Sequence, residues 1–405
     1  MKFVADFHIH SKYSRATSST MDVESLSKWA KVKGVKVLGT GDFTHPQWLK
    51  ELKEKLRPAE PGLFKFNDTR FILTSEISCI YSKKQKVRKI HIIVFAPSFE
   101  VVDKINAYLA TIGNLKADGR PILGLDAKEL AKIVLGICPD CLIVPAHIWT
   151  PWFSLFGSKS GFDTIEECFE DYSKYIFAAE TGLSSNPAMN WRLSDLDRLT
   201  LISNSDCHSP QKIAREANVF DAELSYQGIV EAVKNKKLLY TIEFFPEEGK
   251  YHFDGHRACN VRFDPEESKK HNNICPVCRK PLTIGVLNRV EELADREEGF
   301  LPPKRTPFKS LIPLSEIIAE ALRVGVVSKK VKKEYDNLIA HFKNELAVLL
   351  DASFEDLSAC TSLRIAEGVI KSREGKVEIN PGYDGVYGTV KIFSQEEEDR
   401  QVLLL

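Results

Sequence analysis

The sequence predicts an α/β protein. Residues 1–243 read as strands and helices forming a parallel sheet, open or closed into a barrel. A short cysteine-bearing module over 244–300 and a mostly helical domain over 301–405 follow. Three observations predict this. Short apolar runs alternate with helical patterns in the first part. A Cys275-Pro-Val-Cys278 pair follows a stretch holding His252, Gly255, His256 and Cys259. Apolar residues at helical spacing then resume at Leu314.

Composition narrows the class. With 405 residues and a 43% hydrophobic share, the chain can bury a full core. Its net charge of zero argues against a uniformly basic nucleic-acid coat but leaves room for a local basic groove. No apolar run reaches membrane-spanning length and the N-terminus lacks a signal-peptide pattern, so a cytoplasmic location is expected. The nine scattered cysteines then read as reduced thiols or metal ligands.

The first element, Lys2–Ser11, reads KFVADFHIHS, with Val4, Asp6, His8 and His10 on alternate positions. On a strand these share one face, so a carboxylate and two imidazoles would project together. Buried without partners they would cost several kcal/mol, and a divalent metal is the natural partner. Further strands are predicted at Lys36–Asp42, Phe71–Ile77, Lys89–Ala96, Cys141–His147, Tyr175–Thr181 and Thr200–Asp206, making seven. Helical patterns at Asp22–Lys33, Asp126–Leu135 and Ser225–Lys236 lie among them.

Nearly every strand finishes on ionisable groups: Asp6, His8 and His10, then Asp42, Glu76, His91, His147, Glu180, and Asp206 with His208. In a parallel barrel those ends build the active site. The set resembles the PHP family (polymerase and histidinol phosphatase), which implies a distorted (β/α)7 barrel holding two or three divalent metals. The resemblance places one metal on His8, His10, Glu76 and Asp206, which would carry catalysis. Glu76 bridges to a second held by His91 and His147, and His208 belongs to a third, with Asp42 and His45 carried into it. The chain departs from the pattern at Phe43, directly after Asp42, and at Ala16, where relatives often have histidines. The mixed shell suits Zn, Mn or Fe, and Mg less. Two such ions about 3.5–4 Å apart can activate water and hold a phosphate, so a phosphate-ester hydrolase is implied.

In the module, Cys259 precedes the Cys275/Cys278 knuckle by sixteen positions, three-quarters of a structural zinc site. His256 is the preferred fourth ligand, with His252 and His271 as alternatives. Cys138-Pro-Asp-Cys141 has no second half nearby and reads as packing. Helices are expected at Leu314–Val324, Val331–Leu350, Ser353–Ser358 and Thr361–Ile370, then turns with short strands over Glu374–Val390. Gln395–Leu405 reads as a frayed tail or a partner-binding peptide.

Two stretches, Glu180–Ser209 and His252–Arg296 (with CPVCRKPLTIGVLNRVEELADR), make the whole chain resemble the endonuclease Q family of DNA-repair nucleases. That implies DNA as partner and cleavage 5′ of uracil, hypoxanthine, xanthine or an abasic site. It also suggests a sliding-clamp contact, although no clear clamp-binding peptide precedes Leu405. Trp149, Trp152 and Phe153 follow His147, and Asn186, Asn190, Trp191 and Arg192 follow the sixth strand. These are candidates for stacking on, or reading, an extruded base. The basic runs Lys83–Lys89 and Lys329–Lys333 are candidates for phosphate contacts. A small-molecule phosphatase of the histidinol-phosphate kind is the alternative; it would not need the zinc module or the helical domain.

Overall fold

The computed structural model describes residues 1–394; the expected tail peptide, 395–405, lies outside them. All seven expected strands are present, most of them shorter than expected: Lys2–Asp6, Val37–Gly39, Thr69–Lys83, Lys86–Ala96, Leu142–Pro145, Ala178–Glu180 and Thr200–Ile202. Two further strands, Ala217–Asp221 and Leu238–Glu243, complete the wall.

One apolar cluster draws buried residues from every one of these strands. It includes Phe3, Ala5 and Phe7, then Val37, Ile72, Phe95, Val144, Ala178, Ile202, Phe220 and Leu238. That is the filled interior of a barrel. The helix Tyr226–Lys234 contributes Ile229 and Val233 to the same cluster. Side chains and loops continue the wall where strand pairing stops: Phe7 N donates to Asn204 Oδ1, Ser203 N to Asn218 Oδ1, and His10 N to the Cys207 carbonyl. The barrel is distorted for this reason.

The expected all-parallel order is corrected. Lys2–Asp6, Val37–Gly39 and Thr69–Lys83 run parallel, but Lys86–Ala96 is antiparallel to both its neighbours, and Ala217–Asp221 is antiparallel to the first strand. Between Phe71–Ile77 and Lys89–Ala96 the sequence has no room for a crossover helix, which a parallel connection requires. Lys84 and Gln85, both at positive φ (50° and 63°), close a two-residue hairpin there instead. The basic run Lys83–Lys89 is the tip of that hairpin and the strand leaving it.

Helices cover the wall where the 3.6-residue pattern placed them. Val23–Lys33 starts at Asp22, whose side chain accepts from Ser25 N, and buries Val23, Leu26 and Ala30. Those residues share a core with Leu314, Ile317, Leu338, Leu346 and Val369 of the C-terminal helices, so this domain packs directly on the barrel's outer helix. The expected helix Val331–Leu350 is two, Lys329–Phe342 and Glu345–Leu350. The chain turns at Lys343 (φ 73°), and Asn344 caps the second helix through Ala347 N. The break delivers Glu345 inward to Lys33 and to the Tyr335 hydroxyl, each 2.5 Å away. Lys329, Lys330, Lys332 and Lys333 occupy the first turns of Lys329–Phe342.

The central module is two short antiparallel strands, Asp254–His256 and Val261–Phe263, and two helices, Pro265–Lys270 and Val286–Leu293. The C-terminal hairpin Glu378–Asn380/Thr389–Lys391 folds back onto it, with Gly382 N bonded to the Glu247 carbonyl and Gly385 N to that of Lys250. No helix among the described residues is long and apolar enough to cross a membrane.

Candidate metal centre

The first strand ends at Asp6, so His8 and His10 stand just beyond it, at the barrel mouth. Phe7 and Ile9 between them are buried and anchor the backbone, and Ile9 bridges to Cys207. This carries the alternation past the strand and aims both imidazoles inward. Asp6 does not join them. Its carboxylate accepts from Ser205 N and Ala214 N, and burial raises its pKa to about 6. It ties the Asp206 loop to the first strand.

Donor atoms of His8, His10, Glu76 and Asp206 lie within 4.8 Å of one another, and those of Glu76, His91 and His147 form a second such group. Glu76, fully buried, is common to both. Its Oε2 is 3.3 Å from His8 Nε2 and 3.2 Å from His10 Nε2; its Oε1 is 2.5 Å from His91 Nδ1 and 3.1 Å from His147 Nε2. Asp206 Oδ1 lies 3.0 Å from His10 Nε2 and 3.6 Å from His8 Nε2.

The outer ring nitrogens are held from behind. His8 Nδ1 meets both oxygens of Glu180, at 3.1 and 3.0 Å. Glu180 is itself fixed by His147 N and Asn204 Nδ2. His10 Nδ1 meets Asp42 Oδ1 at 3.1 Å, and Asp42 Oδ2 accepts from Ser11 N and from the hydroxyls of Ser11 and Ser14. Carboxylates behind the imidazoles set the tautomer and turn the inner nitrogen to a metal.

The electrostatics point the same way. Burial pushes the His8 and His10 rings down, yet the carboxylates around them outweigh it and draw both pKa values well above the ordinary range. Burial likewise pushes Glu76 up, but His91, Arg120 and His8 hold it well below the usual carboxylate range. Burial drops His91 to about 4, leaving a neutral ring able to ligate. The mouth is short of positive charge, and His8 Nε2 is buried without a hydrogen-bond partner. The residues present therefore fit divalent cations.

Three expected ligands stand apart from these groups among the described residues. Asp42 lies behind His10, so it supports a ligand and is turned away from the mouth. His45 occupies the position before the helix Pro46–Lys55, without a side-chain capping bond, and stacks on Tyr13, with ring centroids 4.5 Å apart. His208 sits at the rim, its ring 4.6 Å from that of His10 and its Nδ1 bonded to the Asp206 carbonyl. Arg120 was not expected at the site, because it lies on a loop with no motif around it. Glu180 was read only as a strand end.

The base-reading candidates divide. Trp149 is buried, and its Nε1 donates to Asn190 Oδ1 at 2.7 Å; Asn190 is fully buried and bonded to the Ser185 hydroxyl. Asn186 caps the short helix Pro187–Asn190, and Trp191 packs on Phe308. Arg192 pairs with Glu291 at 2.5 Å and joins the barrel to the central module. Trp152, in contrast, is 50% exposed. Phe153 lies 4.7 Å from the His91 ring, and the Lys89 ammonium sits 5.0 Å from the Trp152 ring centre. Of the basic run, Lys83 is spent on Asp126 and Glu170, and Arg88 on the Gly161 carbonyl and the Phe162 ring.

In the module, donor atoms of His256, Cys259, Cys275 and Cys278 also lie within 4.8 Å of one another, with Cys278 Sγ 3.7 Å from His256 Nδ1. Of the alternatives, His252 is buried away from this group and His271 stacks on Phe263. Cys141 packs in an apolar core, with Cys138 against it.

Comparison with known proteins adds to this geometry. Residues 313–376 match the family described as the MJ0043 C-terminal domain. Uncharacterized protein MJ0043 of Methanocaldococcus jannaschii is 34% identical over 62% of this chain, a match that takes in 32% of that protein's length. Uncharacterized protein YqxK of Bacillus subtilis is 30% identical over 96% of this chain and 99% of its own. Among solved structures, the lesion-specific endonuclease PfuEndoQ of Pyrococcus furiosus superimposes with a TM-score of 0.88 at 31% identity, covering 99% of both chains. An endonuclease Q complex with a 27-mer duplex carrying an abasic lesion at the active site gives 0.86 at 31% identity, covering 98% of both.

Proposed function

Because the chain belongs to the endonuclease Q family, we propose that it is a metal-dependent DNA endonuclease cutting the phosphodiester 5′ of a damaged base. Uracil, hypoxanthine, xanthine and abasic sites are the substrates in this reading. The observation that carries it is the convergence of His8, His10, Glu76, His91, His147 and Asp206 on one barrel mouth, in a chain that matches a lesion-bound endonuclease along nearly its whole length.

His8, His10, Glu76 and Asp206 would hold one cation, and Glu76, His91 and His147 a second. Zn, Mn or Fe suits these donors better than Mg. Divalent ions bound there supply Lewis acidity and a nucleophile drawn from water. The chain's own part is positioning. Glu180 and Asp42 keep His8 and His10 in the ligating tautomer, and the buried walls exclude bulk water. His256, Cys259, Cys275 and Cys278 would hold one structural zinc.

Selectivity follows from two properties of a deaminated base. It pairs poorly, so extruding it costs less than extruding a normal one. It also carries a carbonyl where the parent had an amine, so a pocket of hydrogen-bond donors favours it. Trp152, exposed and next to Phe153, whose ring meets that of His91, suits stacking on that base or filling its gap. The buried Trp149–Asn190 hydrogen bond ties the loop that carries Trp152 to the segment after the sixth strand.

The test is a set of end-labelled duplexes, each with one lesion or none, incubated with Mn, Mg or Zn, and with histidinol phosphate in parallel. A single nick beside each lesion and no phosphate release supports the reading. Phosphate release without nicking overturns it. Trp152→Ala should cost more on uracil than on abasic DNA; equal losses would remove Trp152 from base reading.

A further inference from the structure

Resting on the DNA-hydrolase reading, we infer that Arg120 is a catalytic residue that grips a non-bridging oxygen of the scissile phosphate. The loop that carries it is fastened tightly. Asp118 Oδ1 accepts from Arg15 N and Arg120 N, both at 3.2 Å, and its other oxygen pairs with Arg15 Nε at 3.2 Å. Gly119 N donates to the Tyr13 carbonyl, and Gly119 O accepts from Thr44 Oγ1. A side chain on Gly119 would place its Cβ 2.3 Å from Asp42 Oδ2 and 2.4 Å from the Ser14 hydroxyl, so the loop is pressed against the group that supports His10. Just beyond, Ser78 N bonds to the Pro121 carbonyl. The Arg120 backbone is therefore fixed at the lip of the mouth.

Its guanidinium points into that mouth. Nη1 donates to Glu76 Oε2 at 3.1 Å, while the side chain stays 27% exposed. This is the oxygen that also faces His8 Nε2 and His10 Nε2. A guanidinium has no lone pair to give a cation and keeps its charge at any working pH, so Arg120 cannot be a metal ligand. With Glu76 turned to cations, Arg120 would lose that oxygen as its own partner and would meet like charge. A phosphodiester arriving at the mouth is the anion that would restore one. The planar fork of donors matches phosphate oxygens, and such a contact strengthens as negative charge builds on them. Arg120 neither gives nor takes a proton, so the bonds made and broken are those of hydrolysis alone.

The experiment compares wild type, Arg120→Ala and Arg120→Lys on a uracil duplex with either a normal or a neutral methylphosphonate linkage at the cut site. Kinetics, equilibrium binding by anisotropy and metals per chain by elemental analysis are read together. We expect Arg120→Ala to keep its metals and lose roughly 10²–10³-fold in kcat, with a smaller change in KM. Arg120→Lys should recover only part of this. Replacing the charged linkage should weaken binding to wild type more than it weakens binding to Arg120→Ala. Wild-type nicking by Arg120→Ala overturns the inference and leaves the family reading intact. A rate loss that tracks lost metal also overturns it, since Arg120 would then only be positioning Glu76. Failure of the wild type to nick any lesion duplex defeats the underlying reading instead.

Discussion

The barrel mouth and the cysteine module both gather metal-binding side chains, but they are built in opposite order. The mouth draws on positions from His8 to Asp206, and each ligand stands on backbone already fixed by packing, with Phe7, Ile93 and Val144 buried beside it. The module takes its four donors from His256 to Cys278, and its local core is only Val261, Cys275 and Leu282. In the first the fold makes the site; in the second the site has to make the fold, because so small a segment cannot bury enough apolar surface.

Ligand loss should therefore do opposite things in the two places. His8→Ala is expected to abolish nicking while the melting temperature moves by only a few degrees, since the core beneath it is intact. Nicking assays beside thermal unfolding check this, and a collapse of the barrel would break the contrast. Cys275→Ser should release the zinc proposed for the module and unfold the segment around it, where metal binding in comparable peptides is worth about 10–16 kcal/mol. Hydrogen exchange over residues 254–283 is the readout. Continued protection there would mean the module stands without its ion.

Smaller effects sharpen the same contrast. Glu180→Gln and Asp42→Asn leave every ligand in place but loosen the hold on His8 and His10. Metal affinity at the mouth should fall about 10–100-fold, measured by competition with a chelator, with the module's zinc unchanged. Smallest is a pH effect behind the mouth. Glu243 and Glu216 are both fully buried, and burial together with nearby carboxylates raises both pKa values, Glu243 to about 8 against 4.5 for a free carboxyl. The folded state keeps a proton that the unfolded chain releases. This contribution is complete below about pH 4.5 and is lost as pH rises towards 8, at up to about 1.4 kcal/mol per pH unit. Glu243→Gln, which mimics the protonated acid, should flatten that slope in urea titrations run at several pH values. An unchanged slope would move the proton elsewhere.

Much of this was legible in the sequence, for physical reasons that also mark where reading failed. His8, His10, His147 and Asp206 stood just past the ends of apolar runs and share a rim, whereas Glu76 and His91, also read as strand ends, lie within Thr69–Lys83 and Lys86–Ala96, whose antiparallel pairing brings them to the same mouth. The cysteine spacing is local, so His256, Cys259, Cys275 and Cys278 could be grouped without knowing the fold. Direction was harder. The hairpin at Lys84–Gln85 reverses a strand expected to be parallel, and Ala217–Asp221 and Leu238–Glu243 passed unread. Facing was harder still. Trp149, Asn190 and Arg192 carry base-reading chemistry, yet they turn inward to one another or to Glu291. Arg120 is the reverse case. Nothing in Ala-Asp-Gly-Arg announces a site, and only the close seat of Gly119 against Asp42 brings it to Glu76.

Cations gripped at the barrel mouth are proposed to break the DNA backbone beside a lesion. Nicking of a singly labelled duplex with one uracil, by protein stripped with chelator and given back Mn²⁺, tests this most directly, with Asp206→Asn alongside. We expect silence after stripping, a single cut 5′ of the uracil on re-addition, and silence from Asp206→Asn throughout. Cutting that ignores the chelator, or an Asp206→Asn protein that cuts as well as wild type, would contradict this.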